Sequence, residues 1–346
     1  MKNSAQAAWW TALGLALAIV VGTAMTLAAL GFDIGRAASA LVNGAFGSWY
    51  SFGSGTLVRA TPLILTGLAV ALAFQAGVFN IGAEGQFLVG ATAASAVALA
   101  GTHSSAPVVL PGVLLAGGLA GAFWAWIAAE LRARFHVLEV ISTIMLNFVA
   151  AYLVSFLVRG PLQEPTHIYP QTESFGISAR LPRFGPTTRL HIGFVIACAA
   201  CALAWWILRN TAAGFRVRAS GANPDAAHSA GRIDVRRVTT RAFLLSGALA
   251  GLAGAIEVAG VTYALYENIS PGFGYTAIAV ALLARLNALA VVVTGTVFGA
   301  LEAGATAMQR DAGVPSVAVS VVEAGVVLAM VALERARIAR AMQGTR

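Results

Sequence analysis

The sequence predicts an all-α polytopic membrane protein of about ten transmembrane helices, with glycine-interrupted segments among them. Three observations carry that expectation. Hydrophobic residues make up 58% of the 346 residues and charged residues only 10%, with a mean hydropathy of +0.79, too little polar surface for a fold of this size in water. Apolar stretches of roughly 20 residues, the length a helix needs to cross about 30 Å of hydrocarbon, recur from end to end. The basic residues, 21 Arg and a single Lys, gather mostly between those stretches, so the net charge of +8 reads as orientation in a bilayer and not as affinity for nucleic acid.

In hydrocarbon the backbone must satisfy its own hydrogen bonds, so apolar runs rich in Ala, Leu and Val are helices and not strands. The run 10–30 is read as a signal anchor and first span, because no clear small-residue cleavage site leads into a soluble domain. Further spans are expected over 58–77, 84–101, 108–130, 137–158, 191–209, 242–262, 273–286, 288–308 and 316–333. The stretches 35–56 and 273–308 are broken by Gly and polar residues, so eight to eleven spans fit the same pattern. Residues 1–346 then form a single membrane domain.

With the N-terminus inside, fifteen basic residues fall on the cytoplasmic side, from Lys2 through Arg132, Arg134 and the 209–241 cluster to Arg346, against seven outside: Arg36, Arg59, Arg159, Arg180, Arg183, Arg189 and Arg310. That asymmetry agrees with the positive-inside rule and puts both termini in the cytoplasm. Two hydrophilic connections are long enough to be functional. The external loop, 160–190, carries five prolines and mixed charge, which predicts an ordered but irregular cap. The internal loop, 210–241, carries seven arginines if Arg209 at its edge is included, with Ala-rich helical sequence around Asp225 to Ala230, and looks built to touch something in the cytoplasm.

Much chemistry is excluded. Lys2 is the only lysine, so no phosphate-binding G-x-x-x-x-G-K-[ST] loop exists in the chain. The histidines, His103, His136, His167, His191 and His228, are scattered and give no metal-ligand spacing. Cys198 and Cys201 lie within an apolar span, without the strand-helix context of a redox pair, and read as packing residues. Gly117-x-x-x-Gly121 and Gly247-x-x-x-Gly251 each put small residues on one helical face, for close helix packing within the chain in preference to a dimer contact. Ionisable residues inside apolar spans, Glu84, Glu257, Glu302 and Glu323, either fix packing or touch a transported species, and an ion-coupled carrier would use Glu84, Glu257 or Glu302.

The segment from Gly77 to Gln86 is different in kind. Gly77, Gly82 and Gly85 weaken a helix while Asn80, Glu84 and Gln86 supply polar groups, and such a break frees backbone groups that must face protein or a water-filled path. The alternative is a turn between two spans capped by Asn80 and Glu84. A second interruption, 267–287, occupies a comparable place in the other half of the chain, and paired interruptions point to a substrate path. Glu267, Phe273 and Tyr275 lie there, and with Asn80, Glu84 and Gln86 they would line a polar passage whose aromatic faces suit a nucleobase.

Phe79-Asn-Ile-Gly-Ala-Glu-Gly-Gln86 resembles the signature of permease subunits of bacterial ABC importers for nucleosides and simple sugars, the branch related to ribose and branched-chain amino-acid permeases. Gly214-Phe-Arg-Val-Arg-Ala-Ser-Gly-Ala-Asn-Pro-Asp-Ala-Ala227 with Ala230-Gly231 is similar to that family's cytoplasmic coupling loop, and Tyr266-Glu267, Gly272 to Leu283, Met308-Gln309 and Gly313-Val-Pro315 resemble its C-terminal half. The resemblance covers about 60–333 in the expected order. Arg232 stands as an extra residue before Ile233-Asp-Val235, and Ala284-Arg-Leu-Asn-Ala288 lacks the Gly, second Asn and Pro expected near Arg285. The resemblance implies a transport subunit of the bacterial cytoplasmic membrane, with no catalytic or metal residue, that imports nucleosides, or alternatively simple sugars or branched-chain amino acids. It also implies Gly214, Gly221, Asn223, Pro224, Ala226, Ala227 and Gly231 as the dock for a cytoplasmic ABC ATPase that carries the ATP and Mg. The remaining partners it implies are a second homologous permease and an extracytoplasmic substrate-binding protein.

Overall fold

The computed structural model describes residues 21–22, 24–102, 104–135 and 137–315, with 317, 318, 320, 321 and 324 beyond them. The expected span 316–333 and Glu323 lie outside the described residues, as do His103, His136 and most of the expected span 10–30, of which 24–29 are helical. Two compact units are formed, one from 57–299 and one from the described parts of 1–56 and 300–346.

In the smaller unit, α1 (Ile34–Phe46) starts at Asp33, whose carboxylate accepts the Arg36 N–H at 3.0 Å. Sequence reading left 35–56 outside the spans because of its glycines. Gly44 is in fact the contact point: a Cβ there would collide with Ala307, and one at Gly304 would stand 2.9 Å from the Leu41 side chain. Ala37, Ala40, Ala305, Met308 and Val314 form a small apolar core. A π-helical run, Ser51–Leu57, leads from here into the larger unit.

There α2 (Val58–Gln75) is buried almost all round, as expected of a helix apolar on every face, and the window around it is 78% buried. It ends in a left-handed cap at Gly77 (φ 79°), with the Val78 N–H returning to the Ala73 carbonyl at 3.0 Å. Next come α3 (Ala83–Ala100), α4 (Ala106–Phe135) and α5 (Glu139–Val158), the last two tied at their junction by Arg132 and Glu139 at 3.3 Å. The 160–190 segment is irregular apart from a short 3-10 turn, Ile177–Ala179, and is pinned through its backbone: the Thr172 N–H donates to Leu265, Phe175 to Tyr263 and Leu181 to Ala259, each at 2.8 Å.

α6 (Gly193–Asn210) is followed by α7 (Ala212–Ala222) and α8 (Pro224–Gly231), so most of the basic 210–241 connection is helical. α9 (Val235–Glu257) begins seven residues before the expected 242, because Asp234 caps it through the Arg237 N–H at 3.0 Å and the helix runs out past the apolar zone. It continues as a π-helical turn to Thr262 and stops at Tyr263, which has φ 55°. α10 (Phe273–Leu283) and α11 (Ala288–Ala312) complete the described helices, tied by the Thr294 hydroxyl donating to the Val280 carbonyl at 2.9 Å.

Seven helices among the described residues are long and apolar enough to cross a membrane. The expected full span at 273–286 is corrected: α10 has 11 residues, about 16 Å of rise, half of what a bilayer core requires. Arg285 and Leu286, both left-handed at φ 53° and 61°, end it there. Helices α2, α3 and α9 are the inner ones, whereas the apolar windows of α4, α5 and α6 are only 22–28% buried. On the outer ones Tyr152, Phe156, Leu203 and Trp206 stand exposed, as lipid-facing side chains do.

The two glycine pairs face each other. A Cβ at Gly121 on α4 would stand 2.7 Å from the Cα of Gly251 on α9, and one at Gly117 would stand 2.9 Å from the Gly251 carbonyl oxygen. Lipid tails are as apolar as side chains, so this association gains from close backbone contact and not from hydrophobic burial. Gly121→Val is therefore expected to destabilise the fold by about 1–3 kcal/mol, read as a lowered melting temperature in detergent, whereas Gly112→Val, whose site is open beyond 3.5 Å from Val97, leaves it unchanged.

Candidate functional site

Each interruption in the sequence becomes a helix start, and a helix start leaves backbone N–H groups without partners. At the first, the Asn80 side chain is fully buried and accepts the Gly82 N–H at 2.9 Å. Its amide nitrogen donates to Gln86 Oε1 at 2.9 Å and to the Ser246 hydroxyl at 2.8 Å, and Gln86 donates back at 3.1 Å. The Ser246 hydroxyl in turn donates to the Ala69 carbonyl of α2 at 2.6 Å. Asn147 of α5 accepts the Gly85 N–H at 2.8 Å and donates to the Ile81 carbonyl at 2.9 Å. Four elements are thus tied around the start of α3.

At the second interruption, Ser270 accepts the Gly272 and Phe273 N–H groups at 3.1 Å. The next donor, the Gly274 N–H, goes to the Glu84 carboxylate at 2.7 Å. The Glu84 carboxylate therefore sits in the first turn of α3 and at the first turn of α10 together, where both helix dipoles favour negative charge. The approach is so close that only glycine fits at 274, since a Cβ there would stand 2.5 Å from the Glu84 Cα.

The structure thus brings Asn80, Glu84, Gln86, Phe273 and Tyr275 into one joint. Asn80 and Gln86 are inside its packing at 0% and 1% exposure. Phe273 is buried edge-on against Phe87, with centroids 5.6 Å apart. Tyr275 is 45% exposed, with its hydroxyl 3.3 Å from the Asn147 amide. Glu267 is not part of this joint: it pairs with Arg159 at 2.5 Å and accepts the Ser155 hydroxyl at 2.6 Å, and those two partners hold its carboxyl below the usual range. Sequence reading missed Asn147 and Ser246. Asn147, an amide inside an apolar span, was a readable signal; Ser246, a small residue among small residues, was not.

The residues expected to dock an ATPase divide in the same way. Gly214 lies under the end of α6, where a Cβ would strike the Ile207 carbonyl, and its N–H caps onto Thr211 at 3.1 Å. Gly221 lies against the end of α2, where a Cβ would strike the Gln75 carbonyl oxygen and stand 3.0 Å from the Gly77 nitrogen. Asn223 caps α8 through the Ala226 N–H at 3.0 Å, with Pro224 at the first helical position. Asn223, Pro224 and Ala226 are exposed, as is Gly231, whereas Ala227 is buried at 7% and its carbonyl accepts the Ile233 N–H at 3.2 Å. Arg232, the extra residue, takes the left-handed position (φ 48°) that terminates α8.

A bundle of helices long and apolar enough to cross a membrane, inside which the start of α3 meets the start of the half-length α10, defines a polytopic membrane protein. The chain belongs to the family described as branched-chain amino acid transport system / permease component, whose model matches residues 52–332. It is 40% identical over 321 residues to the guanosine ABC transporter permease protein NupP of Bacillus subtilis, covering 90% of each chain. Over 290 residues it is 42% identical to the glucose ABC transporter permease protein TsgB13 of Haloferax volcanii, covering 80% of this chain and 75% of the relative. It is 33% identical over 292 residues to the nucleoside ABC transporter permease protein NupB of Lactococcus lactis, covering 82% and 79%. No solved structure matches the chain significantly.

Replacing Asn80 by Leu leaves Gln86 and the Gly82 N–H unpaired in the core, at about 1–3 kcal/mol for each group. The folded permease is expected to be largely lost from the membrane, measured as monodisperse protein after solubilisation. Full folded yield with uptake abolished would contradict the capping role.

Proposed function

We propose that this permease subunit conducts nucleosides through an ATP-driven importer of the bacterial cytoplasmic membrane. The observation that carries the substrate class is the 40% identity to a guanosine permease across 90% of both chains. A simple sugar is the second reading, favoured by the 42% identity to a glucose permease over a shorter stretch.

In this reading the substrate passes Tyr275, the half-exposed aromatic beside the joint, while Asn80, Glu84, Gln86 and Phe273 hold the wall behind it and Glu267 stands nearer the outer mouth. One stacking face holds a base weakly enough to release it. Residues 160–190 form the outer cap, onto which an extracytoplasmic binding protein delivers substrate, and a second homologous permease completes the passage. The 210–241 segment and both termini lie in the cytoplasm. There the exposed face of α8 docks an ABC ATPase, which carries the ATP and Mg. Motion of α8 reaches the joint mechanically: α7 bears on Gly77 through Gly221, and only Val78 and Phe79 separate Gly77 from the buried Asn80 at the approach to α3. A rigid lever with one small-residue contact is enough to bias two arrangements of the joint.

Uptake of labelled guanosine by the complete transporter, with glucose, uridine, ribose and leucine as competitors, tests the substrate class. Guanosine uptake suppressed by uridine and not by glucose is expected, and the reverse favours the sugar reading. Tyr275→Ala is expected to lower guanosine uptake at least roughly tenfold, on the basis that base stacking contributes about 1–3 kcal/mol, while Tyr275→Phe retains most of it. Ala226→Arg places a bulky charge on the exposed face of α8, and is expected to reduce ATPase co-purification and substrate-stimulated hydrolysis without changing the melting temperature. Unaltered co-purification sinks the docking assignment.

A further inference from the structure

A groove of about 330 Å³ runs between α2, α6, α7 and α9, with Leu72, Leu203, Ile207, Val217, Leu245 and Leu249 on its walls. Apart from two side chains the lining is apolar. The exceptions are Arg216 of α7 and Arg241 near the start of α9. From Leu249 to Arg241 the groove follows α9 for about 12 Å, enough for most of an acyl chain.

We propose that this groove binds one anionic phospholipid, with an acyl chain along Leu203, Ile207, Leu245 and Leu249 and the phosphate held by Arg216 and Arg241. Charge is the first argument. Arg237 pairs with Asp234 at 2.9 Å and Arg132 with Glu139 at 3.3 Å, and the exposed Arg218 and Arg236 do not line this groove. Among the described residues, Arg216 and Arg241 have no such ion pair, and both stand exposed at the same groove. Two guanidinium forks match the oxygens of a phosphate in a way that a surface lysine does not.

Depth is the second argument. The groove is bordered by α2, α6 and α9, all long and apolar enough to cross the membrane. The end of α6 carries interfacial markers: Trp206 is 53% exposed, and the Arg209 guanidinium lies 5.6 Å from the Trp205 ring centre. The arginines thus lie where a lipid headgroup lies, with the apolar walls reaching toward the tails. The groove thus combines an apolar lining with two arginines, beside these interfacial markers. The site takes an anionic diacyl lipid in preference to a zwitterionic one, whose ammonium offsets its phosphate.

The test is native mass spectrometry of the full chain in mild detergent, with phosphatidylglycerol and phosphatidylcholine supplied equally. The wild type is expected to retain phosphatidylglycerol in roughly tenfold excess or more, since each arginine near an anionic headgroup contributes a factor of about five. The double variant Arg216→Gln with Arg241→Gln should bring the two lipids near parity. Ala204→Phe, which fills the groove, should lower retention of both, and Arg237→Gln should keep the excess. Should the double glutamine variant fail to fold, Arg216→Lys with Arg241→Lys keeps the charges and is expected to keep a clear excess. No excess in the wild type, an excess that survives the double glutamine variant, or an equal loss with Arg237→Gln overturns the proposal. Displacement of the bound lipid by millimolar inorganic phosphate alone also overturns it, because the acyl groove would then contribute nothing.

Discussion

One hydrogen bond organises the centre of this molecule: the Glu84 carboxylate accepting the Gly274 N–H at 2.7 Å. A helix start buried among apolar helices exposes donors that no water is there to take, and this chain starts two helices at one place. Glu84 bridges the two, lying in the first turn of α3 and accepting the Gly274 N–H at the start of α10. Asn80, Asn147 and Ser270 take the remaining donors near it. The joint is held by polar groups in an apolar setting, so each lost partner is costly, and each satisfied one narrows the arrangements open to the chain.

The small residues follow from that constraint. For Glu84 to reach across, α10 must approach α3 until nothing but glycine fits at 274. For α3 to stand there, α4 and α9 must close behind it, which the facing glycines 117, 121, 247 and 251 permit, together with Gly90 of α3 against Gly251. Glycine is a poor helix former in water, but here the alternative partner is lipid, and close backbone packing outweighs its intrinsic cost. The same device recurs at the end of α2, where Gly221 of α7 meets Gly77.

The helices and their interior faces were legible in the sequence because apolar length and glycine spacing report them directly. Both interruptions were legible too, since Gly77, Gly82 and Gly85 among Asn80, Glu84 and Gln86 contradict a continuous helix. Which side of the joint each residue takes was not legible. Asn80 and Gln86 read as path-lining groups and are buried, because Asn80's partner Ser246 lies 166 residues away and gives no local signal. The half-length of α10 was hidden by an apolar run continuing to 283, and ended by left-handed Arg285 and Leu286, residue types that do not announce that conformation. The early start of α9 was lost to hydropathy, since Asp234 caps a helix whose first turns are basic.

Amide hydrogen exchange across the joint tests this account most directly. In the purified transporter, Glu84→Ala removes the acceptor of the Gly274 N–H without touching α10 itself. Exchange in a peptide covering residues 272–277 is predicted to accelerate by roughly tenfold or more, the effect of losing one buried hydrogen bond of about 1.5 kcal/mol or greater, while α9 keeps its protection. Unchanged protection at 272–277 in a folded Glu84→Ala permease would contradict the claim that the Glu84 carboxylate ties the start of α10 to α3.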